Sequence, residues 1–150
     1  MVAGIDGCRA GWLVVSRQAG AYALELIPET DTDRLLKVLS LAEQAFIDMA
    51  IGVSEVACPR TCDELVRIRL GGKFSSSVFN LPVRKALYTE NYTQANTINR
   101  QMSGKGLSKQ SWNLHKKIRV MDRLLQEHYE LQKKVREAHP ELQFRIWNGD

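Results

Sequence analysis

No apolar run in this chain approaches the roughly 20 residues that a membrane-spanning helix needs. The N-terminus lacks a basic segment followed by an apolar stretch, so no secretory signal is expected. Cysteine is scarce: Cys8, Cys58 and Cys62 are the three, and an odd number cannot all pair. Free thiols in a reducing cytoplasm are the expectation, with no membrane partner. Cys58 and Cys62 stand four apart with no second Cys or His pair at zinc spacing, which argues against structural zinc. Repeats, low-complexity tracts and linkers are missing too. One domain over residues 1–150 is therefore expected, burying roughly 70% of the unfolded chain's surface.

Acidic residues are sparse in one part of the chain. From Arg100 to Arg136 there are ten Lys or Arg against three Asp or Glu, while the whole chain carries +4. The remainder is thus slightly acidic. Such a segment can hold a polyanion near carboxylates, or it can be a solvated helix face.

What the chain does have is concentrated in residues 2–16, VAGIDGCRAGWLVVS. An apolar strand ends at Asp6, turns through Gly7–Gly11, and returns as Trp12 to Val15. A carboxylate at the end of a buried strand is costly unless a cation, a proton or hydrogen bonds compensate it. The turn has two glycines and Arg9, so its backbone N–H groups can approach a phosphate.

A third strand is read over residues 21–27, giving an antiparallel meander. Asp31, Thr32 or Asp33 caps a helix with Leu35, Leu36 and Leu39 on its apolar stripe. Residues 45–51, AFIDMAI, are too few for a helix and fit a buried strand reached by a crossover, hence parallel. Asp48 sits in its middle. If the two acid-bearing strands are neighbours, Asp6 and Asp48 repel one another unless a divalent cation lies between them. Oxygen donors suit Mg²⁺ or Mn²⁺ better than zinc. Each acid alone could equally be a hydrogen-bonded structural aspartate.

Beyond this point, Thr61 and Glu64 have capping-box spacing ahead of a helix ended by Gly71-Gly72. Residues 73–79 read as a hydroxyl-rich loop, and residues 91–102 as a polar helix. Gly104-Lys105-Gly106-Leu107-Ser108 lacks the full nucleotide-binding loop pattern and follows a helix, which excludes a nucleoside-triphosphatase reading. Ser108 caps a long helix with Leu114, Ile118, Met121 and Leu125 on one face, carrying the positive charge toward Arg136. Trp112 either packs in the core or stacks on a base. Residues 135–139 are read as a short strand, which places Glu137 near a strand end, in preference to a strand over residues 142–147, because Pro140 suits the first position of a helix and interrupts a strand.

Strand, strand, strand, helix, strand, helices, strand is the order of the ribonuclease H-like fold. Six blocks carry a closer resemblance: GIDGCRAGW at 4–12, IDMAIG at 47–52, CDELVRIRLG at 62–71, SSVF at 76–79, GKGLSKQSW at 104–112 and EAHPE at 137–141. In that order they resemble the uncharacterised domain family numbered 429, whose members are described as predicted nucleases with an RNase H-like fold. The resemblance implies an α/β fold: a mixed sheet of three antiparallel strands, then parallel strands, with helices on both faces.

It further implies a one- or two-metal phosphodiesterase site holding Mg²⁺ or Mn²⁺. Asp6, Asp48 and Glu137 are the implied catalytic and metal-binding acids, with Glu141 as a further ligand. His139 would orient water. Arg9 and Lys105, with Lys116, Lys117 and Arg119 of the basic helix, would contact a nucleic-acid backbone. The family pattern is expected to continue past Asp150, so the C-terminal part of the fold is expected to be shortened and a last acid missing. A homodimer covering the incomplete sheet face is one expected partner. The alternatives are a non-catalytic nucleic-acid-binding or structural member of the fold, and a nucleotide-binding phosphotransferase-like protein. The latter needs a second glycine-rich loop and a second domain.

Overall fold

The computed structural model describes residues 1–56 and 58–149. They gather into two compact units: Met1–Ile51 with Val120–Ala138, and Gly52–Arg119 with the residues from His139 onward.

The first unit is built on a five-stranded sheet. Strands β1 (Val2–Cys8), β2 (Gly11–Gln18) and β3 (Ala21–Pro28) form the antiparallel meander. Helix α1 (Thr32–Leu41) then crosses over to β4 (Gln44–Asp48), which runs parallel to β1. Late in the chain β5 (Val135–Glu137) adds to β4, also parallel, giving the order β3-β2-β1-β4-β5. This α/β arrangement, three antiparallel strands followed by parallel ones, is consistent with an RNase H-like sheet.

Alternation along the strands decides what is buried. Ala3, Ile5, Trp12, Val14, Ile27, Ala45, Ile47 and Val135 face the core. Leu35, Val38 and Leu39 of α1 add to it, with Met121, Leu124 and Leu125 of α6 (His115–Glu127). Asp31 caps α1 by accepting from the Arg34 N–H at 3.0 Å. The intervening face of the sheet is open: Val2, Leu13, Val15, Tyr22, Leu24, Leu26 and Phe46 are all exposed, Tyr22 and Leu24 by more than 70%. Expected helices on both faces would have covered these side chains. Gly11 is fixed by close approach, since its φ is 142° and a Cβ there would lie 2.0 Å from the Ile27 carbonyl oxygen.

The second unit is helical. It contains α2 (Thr61–Phe74), α3 (Arg84–Leu87), α4 (Tyr92–Ser103), α5 (Lys109–Asn113), the start of α6, and α7 (Pro140–Trp147). Buried Asn99 ties it together: its Oδ1 accepts from the Val83 N–H at 2.9 Å and its Nδ2 donates to the Lys105 carbonyl at 3.0 Å. Arg145 of α7 donates to the Leu70 carbonyl of α2.

Several elements differ from expectation. Strand β4 stops at Asp48 because its ladder with β1 ends at that residue and its ladder with β5 at Ile47. The Thr61–Glu64 capping box does not form; Arg60 is the N-cap and makes no side-chain cap bond. Helix α2 runs past the expected stop to Phe74, with Gly71 at φ 71° as a kink inside it. The expected long helix from Ser108 is broken at Leu114, where the Leu114 N–H bonds the Ser111 carbonyl at 3.3 Å, and α6 ends at Glu127. A 3₁₀ turn, Tyr129–Lys133, then leads to β5.

Candidate metal centre

Asp6 and Asp48 are register partners on adjacent parallel strands. Neighbouring strands lie about 4.8 Å apart, so the two Cβ atoms project side by side. Ile5 and Ile47 are buried, so by alternation both aspartates stand on the open face, and both are exposed. The face can be followed in rows across the sheet. Leu24, Val15, Gly4 and Phe46 are consecutive partners, and so are Leu26, Leu13, Asp6 and Asp48. A carboxylate pair therefore continues an apolar row at the end of β1 and β4. Arg9 lies at the same end of the sheet, in the turn between β1 and β2. Its exposed guanidinium makes no hydrogen bond or ion pair among the described residues.

Glu137 is placed differently. It pairs with Ile47 and lies two residues from buried Val135, on the same side, so its strand position points to the opposite face from Asp48. Its Oε2 accepts from the Ile51 N–H at 3.2 Å, holding the segment that leaves β4. His139 and Glu141 belong to the second unit, where His139 Nδ1 lies 2.9 Å from Glu141 Oε2. Among the described residues, no three His, Cys, Asp or Glu are grouped to hold a metal.

The donor chemistry nonetheless suits one hard divalent cation. Mg²⁺ is commonly held by one or two carboxylates, with water and substrate phosphate completing its shell. Asp6 and Asp48 supply such a pair on a solvent-open face. The arrangement fits one ion better than the two-metal alternative, which needs more acids than converge here.

The basic segment also differs from expectation. Lys117 is buried, with 8% exposure. Arg119 is paired with Glu90 at 3.2 Å and lies 6.0 Å from the Tyr88 ring. Of the three helix cations expected to meet a backbone, Lys116 alone is exposed. Trp112 stacks on His115 with ring centroids 3.8 Å apart and meets Tyr92 edge-on at 6.1 Å, so its ring is engaged within the protein. Burial holds the His115 pKa below the ordinary histidine value, against the Nδ1 contact with the Trp112 carbonyl at 2.6 Å. Lys105 lies in the loop after α4, whose C-cap Gly104 is left-handed at φ 70°.

The second unit also holds a cleft of about 420 Å³ to which Lys105 contributes, together with Arg60 and Arg67 of the α2 region. Sequence reasoning passed over those two arginines. Their spacing of seven, which puts two residues on one helix face, was the available signal.

A mixed sheet carrying paired carboxylates at the ends of adjacent parallel strands defines an α/β protein with a candidate cation site. The chain belongs to the family described as "Protein of unknown function (DUF429)", which matches residues 4–150. No curated protein and no solved structure matches the chain. All three cysteines are free, and among the described residues no helix is long and apolar enough to cross a membrane.

Proposed function

We propose that this protein is a divalent-metal-dependent phosphodiester hydrolase, a nuclease of RNase H-like type, in which Asp6 and Asp48 hold one Mg²⁺ or Mn²⁺. The observation that carries the reading is the in-register pairing of these acids on the open face. A bound divalent ion supplies an activated water and neutralises charge on a phosphate. Asp6 and Asp48 fix the ion's place on the sheet. Arg9, with its guanidinium unspent at the same end, contacts a phosphate oxygen through its fork of donors. Such contacts position a backbone without reading its sequence.

The test is cleavage of labelled single- and double-stranded DNA and RNA with Mg²⁺, with Mn²⁺ and with EDTA. The proposal expects cleavage of at least one substrate that EDTA abolishes and that Asp6→Asn reduces at least ~100-fold, the scale on which loss of a key electrostatic group acts. Cleavage that persists in Asp6→Asn removes the pair from the reaction.

One observation favours a second reading, a non-catalytic nucleic-acid-binding member of the fold. No third acid joins the pair among the described residues. That reading expects salt-sensitive binding that ignores Mg²⁺ and survives Asp6→Asn. On either reading, the apolar β2–β3 part of the open face suits a second copy of the chain.

A further inference from the structure

The cleft in the second unit has apolar, cationic and acidic residues in its lining. Val78, Phe79 and Pro82 are its apolar residues; three cations, Arg60, Arg67 and Lys105, share the lining with two acids, Glu64 and Asp63, the latter paired with Arg60. Its volume of about 420 Å³ falls within the roughly 300–1,000 Å³ typical of small-molecule sites.

The cations are not equally available. Arg60 is paired with Asp63 at 3.3 Å. Arg67 is held in place by one nitrogen, Nη2, which donates to the Val78 carbonyl and to Asn80 Oδ1, both at 2.9 Å. A guanidinium carries five N–H donors. Those on Nε and Nη1 make no bond among the described residues, so the fork is fixed in place with donors to spare. The Lys105 ammonium likewise makes no hydrogen bond or ion pair among them, while its backbone is fixed by Asn99 and Ser103. A fixed guanidinium loses little freedom on taking up an oxyanion.

We propose that this cleft is a binding site for a small organic oxyanion, a phosphate or carboxylate carried on an apolar ring. Arg67 and Lys105 hold the anionic group, and the ring lies against the Val78–Phe79 side. The site is independent of the metal-dependent reaction proposed above.

The full chain should be titrated calorimetrically with phenyl phosphate, benzoate and inorganic phosphate. At least one aromatic anion is expected to bind saturably, at least ~10-fold more tightly than inorganic phosphate, a difference of about 1.4 kcal/mol. Phenyl phosphate ahead of benzoate assigns the group as a phosphate, and the reverse order as a carboxylate. Lys105→Gln removes an ammonium that makes no bond among the described residues and should weaken that binding ~10-fold. Arg67→Lys should weaken it as well, and Asp6→Asn should leave it unchanged, separating this site from the carboxylate pair. Cys58 lines the cleft, so a bound anion should slow its alkylation and leave Cys8 unaffected. Absence of saturable binding by both aromatic anions overturns the proposal. So does equal affinity in Lys105→Gln, or an unprotected Cys58 at saturation.

Discussion

The two faces of the sheet are made from the same strands, residue by residue, and have opposite fates. Trp12 is fully buried, while its neighbour Leu13 is 37% exposed and sits one step from Asp6 across the ladder. The buried face is filled mainly by apolar side chains, with Glu137 on its edge strand. The open face grades from Leu24 and Leu26 to the Asp6–Asp48 pair. Stability resides on one side and the candidate chemistry on the other, so substitutions one residue apart should separate the two.

The largest expected effect tests that division directly. Trp12→Ala should cost about 3–5 kcal/mol in urea unfolding, as large-to-small changes in a packed core do. Leu13→Ala should cost less than ~1 kcal/mol. Equal losses would mean that the open face is covered in solution. Next in size is Glu137→Ala, which leaves the Ile51 N–H without its acceptor; about 1–2 kcal/mol of stability should go. Divalent-ion affinity should not change, and a fall in affinity would bring Glu137 into the ion's shell after all.

Smaller still is Leu24→Lys, expected within ~0.5 kcal/mol of the parent in stability. If a second copy covers the β2–β3 face, this change abolishes concentration-dependent association in sedimentation; association that survives it places the contact elsewhere. The smallest effect is a pH dependence away from both faces. Burial lowers the folded His115 pKa below that of the unfolded chain. The unfolded state then binds the proton more readily, so this group's contribution is present above about pH 6.5 and is lost as pH falls through the folded value. His115→Gln should flatten that acidic slope in urea titrations.

Much of the sheet was legible because its signals are local. Apolar alternation and glycine turns mark the meander, and two acids in short apolar strands mark the pair. The side of the sheet taken by Glu137 was not legible. In a strand of three residues, the pairing of Val135 with Ala45 decides the face, and that pairing is tertiary. Charge composition was equally blind to Lys117, which falls on the buried side of α6 with Ile118 and Met121, and to the break at Leu114 that divides the expected long helix. Arg60 and Arg67 gather with Lys105 only once α2 and the loop after α4 are folded.

The central claim is that Asp6 and Asp48 together bind a divalent cation, and Mn²⁺ soaked into crystals of the protein tests it most directly. The account predicts one anomalous peak between the two carboxylates, absent from crystals of Asp6→Asn and of Asp48→Asn. Saturating Mn²⁺ that leaves that position empty, or that binds unchanged in both variants, would contradict it.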